Sequence, residues 1–126
     1  MEKRTIQKYV KQHPEISYVG IEWDLTRPDY KKERKCLLNS IEEIQQCIFW
    51  LVEFLKQNKT FVNVNSSYGL KYYVENYFGK YISNGSFVTA IKMMGYKYRE
   101  FRGDPNLYLS FNKRWSRKYL EENFKR

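Results

Sequence analysis

The stretch that decides the fold of this 126-residue chain runs from residue 66 to residue 111: SSYGLKYYVENYFGKYISNGSFVTAIKMMGYKYREFRGDPNLYLSF. Its first half predicts a helix that begins at Ser66 or Ser67 and ends at Gly79. Serine side chains accept hydrogen bonds from the free N–H groups at a helix start, and glycine adopts the left-handed conformation in which helices commonly end. A short turn then leads into a second helix.

The second helix begins at Ser83 or Asn84 and ends at Gly95. Apolar residues at helical spacing predict its buried face. These residues are Phe87, Val88, Ile91 and Met94. The polar residues Ser86, Thr89 and Lys92 recur three apart and are expected on the opposite face, where a DNA-recognition helix presents side chains to a groove.

A two-stranded hairpin is predicted directly after the second helix. Residues 102–106, Arg-Gly-Asp-Pro-Asn, are turn formers, and Leu107, Leu109 and Phe111 alternate with polar residues as in a strand. Ser40 with Glu43 forms a capping-box pattern before a helix that continues to Leu55. Three helices followed by a hairpin predict a winged-helix-like fold, in the α+β class and mainly α.

The chain is interpreted as an N-terminal extension, residues 1–36, followed by a winged-helix-like binding domain, residues 37–126. Pro14 is expected to end a short first helix, since the residue before a proline is disfavoured in helical geometry. The other expected elements are a strand through Val19, Ile21 and Trp23, a loop from Asp24 to Lys35 with one helical turn, and a final helix from Lys113 to Phe124.

Positive charge is concentrated in the second half of the chain. Residues 1–65 hold 11 basic and 9 acidic side chains, whereas residues 66–126 hold 12 and 5. A basic surface attracts nucleic acid because neutralising phosphates releases condensed counterions, although a merely solubilising surface has the same composition. The expected phosphate-binding residues flank the hairpin: Lys97, Arg99, Arg102, Lys113, Arg114, Arg117 and Lys118.

The sequence does not favour an enzyme or a metalloprotein. Cys36 and Cys47 are the only cysteines and His13 is the only histidine, so neither a metal site nor a nucleophile–histidine pair is predicted. Asp29 and Glu33 superficially resemble a nuclease pattern, but too few residues separate them to place both on neighbouring strands. No cofactor and no secretory signal are expected, which favours a cytoplasmic protein.

A motif in residues 67–96 resembles a signature of small phage- and plasmid-borne proteins. The matching residues are Ser67-Tyr68-Gly69-Leu70-Lys71, Glu75, Gly79-Lys80-Tyr81-Ile82-Ser83-Asn84-Gly85, Phe87, Ala90 and Gly95-Tyr96. Tyr72 stands where the signature has histidine, and the first 60 residues are unmatched. More loosely, the same region is similar to the winged-helix tail of phage-type primases. The resemblance implies an accessory protein of a mobile element, a group that includes inhibitors of host defence.

Three functions follow as hypotheses. The first is direct binding of DNA or RNA through the basic C-terminal face. The second is anti-CRISPR-type inhibition of a host nucleoprotein effector such as a Cas protein. Its interface anchors would be exposed tyrosines such as Tyr68, Tyr72, Tyr98 and Tyr108. The third is a structural partner in a phage particle. Helix–helix–hairpin domains also serve as interaction domains that never contact DNA, so the fold class alone does not decide between these functions.

Overall fold

A computed structural model describes residues 1–57 and 64–110 of the chain. Five helices and two small antiparallel sheets lie within these residues. The α+β, mainly α class is therefore confirmed. The final helix expected from Lys113 to Phe124 lies outside the described residues.

The N-terminal section contains more regular structure than its sequence indicates. Its elements are α1 (Lys3–Gln12), β1 (Ile16–Ser17), β2 (Gly20–Ile21) and α2 (Tyr30–Leu38). The first helix ends before Pro14, as predicted. The expected strand is instead a hairpin of two residues per strand, and half of the expected loop from Asp24 to Lys35 is occupied by α2, so both predictions are wrong in detail.

Tertiary contacts stabilise α2, in which residues 31–35 are all charged. The Arg27 guanidinium bonds Glu22 in the hairpin and Glu33 in the helix, and these bonds raise the pKa of Arg27. Arg34 donates to the carbonyl oxygen of Ile16 at 2.9 Å. Single-sequence patterns cannot register such contacts, because each partner comes from a different segment.

The next helix, α3 (Ile41–Phe54), lies where the apolar spacing predicts it. The predicted capping box does not form. The Ser40 hydroxyl donates to the carbonyl oxygen of Cys36 at 2.7 Å, and a Glu43 carboxylate oxygen accepts from the backbone N–H of Ser83 at 2.6 Å. Glu43 thus ties α3 to the start of a later helix.

The predicted helix pair is confirmed as α4 (Ser67–Phe78) and α5 (Asn84–Met94). Ser66 and Ser83 each accept a backbone hydrogen bond at the helix start. Gly79 and Gly95 end the helices with φ of 66° and 73°, in the left-handed region that favours glycine. Local capping signals therefore position both helices.

A three-stranded sheet completes the fold. Its strands are β3 (Val64–Ser66), β4 (Tyr98–Glu100) and β5 (Leu107–Ser110), in the order β3-β5-β4 with both neighbours antiparallel. The hairpin of β4 and β5 was predicted, but β3 was not. The fully buried side chains of Leu107 and Leu109 place one face of the hairpin against the helices.

One hydrophobic core joins the N-terminal section to the rest of the chain. Ile6, Val10, Ile16 and Ile21 pack in the same buried cluster as α3, α5 and β5. The division at residue 36 follows the sequence pattern, but the hydrophobic core extends across it. Within residues 1–57 and 64–110, no helix has both the length and the apolar character needed to cross a bilayer.

Candidate nucleic-acid interface

Two of the three polar residues expected on the outer face of α5 are buried, so the prediction that they face solvent is wrong for these two. Ser86 and Thr89 have no exposed surface. Their hydroxyls bond within the helix: Ser86 pairs with Ser83 at 2.9 Å, and Thr89 donates to the carbonyl oxygen of Gly85 at 2.7 Å. Neither side chain is available to enter a nucleic-acid groove.

The β1–β2 hairpin covers the first turns of α5. The N–H of Gly85 donates to the carbonyl oxygen of Tyr18 at 3.0 Å. A Cβ atom on Gly85 would lie 1.8 Å from the carbonyl oxygen of Ser17, so the two backbones are in contact. The N-terminal section therefore occupies the side of α5 that the sequence assigns to a nucleic-acid groove.

Asn84 connects the covering hairpin to the rest of the fold. Its side-chain nitrogen donates to the carbonyl oxygen of Val19 and to the Asn106 side chain, each at 2.9 Å, and its oxygen accepts from Ser67 at 2.7 Å. The Ser67 hydroxyl in turn accepts from the N–H of Leu107 at 3.1 Å. The serine and asparagine of the quoted signature thus form a buried structural network.

Lys71, also in the signature, is buried and ion-paired. Its ammonium lies 2.6 Å from a Glu75 carboxylate oxygen. It also lies 5.0, 4.6 and 4.7 Å from the ring centroids of Tyr68, Tyr72 and Tyr81, a spacing typical of cation–π contacts. Three exposed tyrosines thus surround this ammonium, and we call Tyr68, Tyr72 and Tyr81 the tyrosine face.

Replacing the lysine tests this enclosure. Lys71→Met keeps the volume of the side chain but removes the charge, so it should lower the free energy of unfolding by about 2 kcal/mol, the value for a desolvated cation–π contact. Lys80→Met, at an exposed position, is the matched control and should change stability by less than about 0.5 kcal/mol. Chemical denaturation measures both, and equal stability of the two variants would contradict the enclosure.

The basic residues of the β4–β5 hairpin are exposed, as the charge pattern predicts. Lys97, Arg99 and Arg102 all lie on or beside β4 at its solvent-exposed edge. Arg99 is opposite Tyr108 on the neighbouring strand, so both lie on the sheet face that points away from the core. Lys92 is half-buried, with its ammonium 5.7 Å from the centroid of the Tyr98 ring.

Three aromatic rings gather around Asp104 at the hairpin turn, and we call Trp23, Phe101 and Tyr108 the aromatic tip. The Trp23 indole donates to the carbonyl oxygen of Asp104 at 2.8 Å. The Tyr108 hydroxyl donates to the Asp104 carboxylate, a bond that raises the pKa of that hydroxyl. Phe101 packs against Tyr108 in an edge-to-face contact with centroids 5.3 Å apart.

Sequence reasoning named Tyr108 as an exposed interface anchor but did not group it with Trp23 and Phe101. Phe101 is 53% exposed and Trp23 is 44% exposed. A usable signal was the position of Phe101 at the start of a turn, between the charged residues Glu100 and Arg102, where a core residue is not expected. No signal linked Trp23 to this turn, because 81 residues separate it from Asp104.

The remaining expected site residues, Lys113, Arg114, Arg117 and Lys118, lie outside the described residues. Within the described part of the chain, Cys36 and Cys47 are free, and no group of three or more His, Cys, Asp or Glu side chains is arranged to hold a metal ion. Burial raises the pKa of the Cys47 thiol.

Comparisons with protein-family models, with curated proteins and with solved structures give no match to this chain.

Proposed function

We propose that this protein binds DNA or RNA through the β4–β5 hairpin and acts by binding rather than by catalysis. The observation that carries the proposal is the joint exposure of Lys97, Arg99 and Arg102 on a hairpin whose other face is fixed in the core. Basic side chains on a rigid element bind phosphates at a low entropic cost. The proposal also assigns phosphate contacts to four basic residues that follow the hairpin in the sequence: Lys113, Arg114, Arg117 and Lys118.

The proposal includes a winged-helix arrangement of residues 41–110, with β4 and β5 as the wing. The succession of α3, β3, α4, α5, β4 and β5, and the sheet order β3-β5-β4, support it. The buried position of Ser86 and Thr89 argues against insertion of α5 into a groove. The wing is therefore the part of the arrangement to which we assign nucleic-acid contact.

The biological setting that we propose is an accessory role for a phage or plasmid in the cytoplasm of a bacterial host. Support for it is the resemblance of residues 67–96 to the mobile-element signature. Ser67, Lys71 and Asn84 are buried, so we assign these signature residues to folding. The signature therefore supports the proposed setting but does not indicate which residues bind nucleic acid.

Charge reversal of the hairpin tests the proposed function. The triple variant Lys97→Glu, Arg99→Glu, Arg102→Glu should lose most of its affinity for a random-sequence duplex. The slope of log affinity against log salt should flatten by about one unit per lost phosphate contact, and so by about three units between about 50 and 200 mM salt. Fluorescence anisotropy with labelled oligonucleotides measures this slope.

The matched control places the same charge change on α1. Lys3→Glu, Arg4→Glu, Lys8→Glu alters three exposed basic residues of that helix and should change the salt slope far less. Circular dichroism melting establishes that both triple variants fold. A folded hairpin variant with the affinity and salt slope of the unaltered protein would overturn the proposed function.

A second candidate function is inhibition of a host nucleoprotein effector, such as a Cas protein, and the tyrosine face favours it. Tyrosines are enriched at the energetically dominant positions of protein interfaces, and Tyr68, Tyr72 and Tyr81 are well exposed beside the enclosed Lys71. This function predicts nuclease-resistant co-purification with the effector that is lost in Tyr72→Ala and retained in the hairpin triple variant. The reverse pattern supports direct nucleic-acid binding.

A further inference from the structure

We infer that the aromatic tip makes this protein a single-strand binder, with unpaired bases stacking on Phe101 and Trp23 while the neighbouring basic side chains hold phosphates. The inference rests on the proposed function and names its substrate class. Two large rings, Phe101 and Trp23, are about half exposed to water at the tip of a basic hairpin, and such exposure of apolar surface is unfavourable. Phosphate binding alone gives no use for such rings.

The rings are held in place by the fold. The Trp23 indole is anchored to the carbonyl oxygen of Asp104, and Tyr108 to the carboxylate of the same residue. Asp104 is itself fixed by a hydrogen bond from its N–H to the carbonyl oxygen of Phe101 at 2.9 Å. Stacking on rings that are already ordered costs little conformational entropy, which is the property of a preorganised platform.

Charge complementarity indicates a nucleic acid as the occupant. Arg99 lies opposite Tyr108 on the outer sheet face, and Arg102 follows Phe101 directly in the turn. The hairpin itself contains two acidic residues, of which Asp104 accepts hydrogen bonds from Tyr108 and from the N–H of Asn106. Glu100 lies opposite the buried Leu107, on the other sheet face from Arg99. The hairpin thus carries three exposed cations, Lys97, Arg99 and Arg102, against these two carboxylates, and its net charge is positive.

The choice of single strand over duplex follows from which part of a base is accessible. In a duplex the base faces are covered by their neighbours, so exposed rings have nothing to stack on unless the helix is opened. In a single strand every base offers a face, and aromatic side chains beside a basic groove are the common means of binding it. Specific duplex binding uses an element in a groove, and α5 is covered.

The test compares a labelled single-stranded oligonucleotide with its duplex under identical salt. The unaltered protein should bind the single strand more tightly. Phe101→Ala should weaken single-strand binding by at least about fivefold, the factor that corresponds to about 1 kcal/mol per stacked base, and leave duplex binding unchanged. Tyr72→Ala, which removes a comparably exposed ring from the tyrosine face, should change neither affinity.

Tryptophan fluorescence supplies a readout that reports stacking itself. The chain has a third tryptophan, Trp115, which lies outside the described residues, so the measurement uses a Trp115→Phe background. In that background a base stacked on the exposed Trp23 should quench its emission, whereas Trp50 is fully buried. Quenching by the single strand should therefore disappear in Trp23→Phe, which keeps an aromatic ring at this position. Persistence of the full quenching in Trp23→Phe would overturn the inference.

The outcomes separate this inference from the proposed function. If the hairpin triple variant loses binding while Phe101→Ala weakens single strand and duplex equally, or weakens neither, the single-strand inference is overturned and hairpin binding stands. If the triple variant keeps its affinity for both, hairpin binding is overturned as well. Loss of affinity in Tyr72→Ala alone would move the site to the tyrosine face.

Discussion

Gly85→Ala is expected to destabilise the protein by at least about 3 kcal/mol. The added Cβ would lie 1.8 Å from the carbonyl oxygen of Ser17 and 2.7 Å from the carbonyl carbon of Tyr18. Both neighbours are backbone atoms, so the overlap is relieved only if the β1–β2 hairpin moves away from α5. That movement withdraws Ile16 and Ile21 from the core, at a cost at the upper end of the range for overpacked sites.

The direction of the stability change distinguishes the effect of packing from the effect of helix propensity. In an isolated helix, alanine is more favourable than glycine by about 1 kcal/mol, so helix propensity alone predicts a stabilised variant. Gly79→Ala is the matched control: its φ of 66° strains an alanine by about 1–2 kcal/mol, but nothing lies within 4 Å of the added atom. Thermal and chemical denaturation that found Gly85→Ala as stable as the parent protein would refute the packing of the hairpin on α5.

Phe87→Ala is expected to lower the free energy of unfolding by about 3–5 kcal/mol. Phe87 is completely buried and packs edge-to-face on Trp50, with ring centroids 6.1 Å apart at 63°. Removal of the ring leaves a cavity between α3 and α5. Because small domains have a total stability of about 5–15 kcal/mol, the variant should be largely unfolded at modest denaturant concentrations.

Phe101→Ala provides a control with the same chemical change at an exposed position. It should alter stability by less than about 1 kcal/mol, since its main described contact is the edge of Tyr108. Denaturant titration followed by circular dichroism compares the two. A Phe87→Ala variant that unfolds at the same denaturant concentration as Phe101→Ala would show that the core face of α5 is wrongly assigned.

The sequence was sufficient to predict the elements that depend on local signals. Serines that accept backbone N–H groups, glycines in the left-handed region and alternating leucines define α4, α5 and the hairpin within the chain itself. The prediction of α2 failed because its stability comes from Arg27 and Arg34, whose partners lie in other segments. Strand β3 was missed for a related reason, since three residues with no alternation are recognisable only beside β5.

The error at Ser86 and Thr89 came from treating polarity as evidence of exposure. Both hydroxyls are small and bond within their own helix, so they can be buried without an external partner. A better signal was present: residues 84–91 contain no charged side chain, which is typical of a helix covered on several sides. The basic residues of the hairpin were correctly predicted to be exposed, because their charge and the neighbouring turn-forming residues both indicate a solvent-exposed segment.

The measurement that tests hairpin binding most directly is an NMR titration of the isotope-labelled protein with a short single-stranded oligonucleotide. We predict that backbone amide shifts concentrate in residues 97–108 and that the Trp23 indole signal moves with them, while the signals of α5 stay in place. Shifts confined to the tyrosine face or to α5, with residues 97–108 unchanged, would contradict binding of nucleic acid by the hairpin.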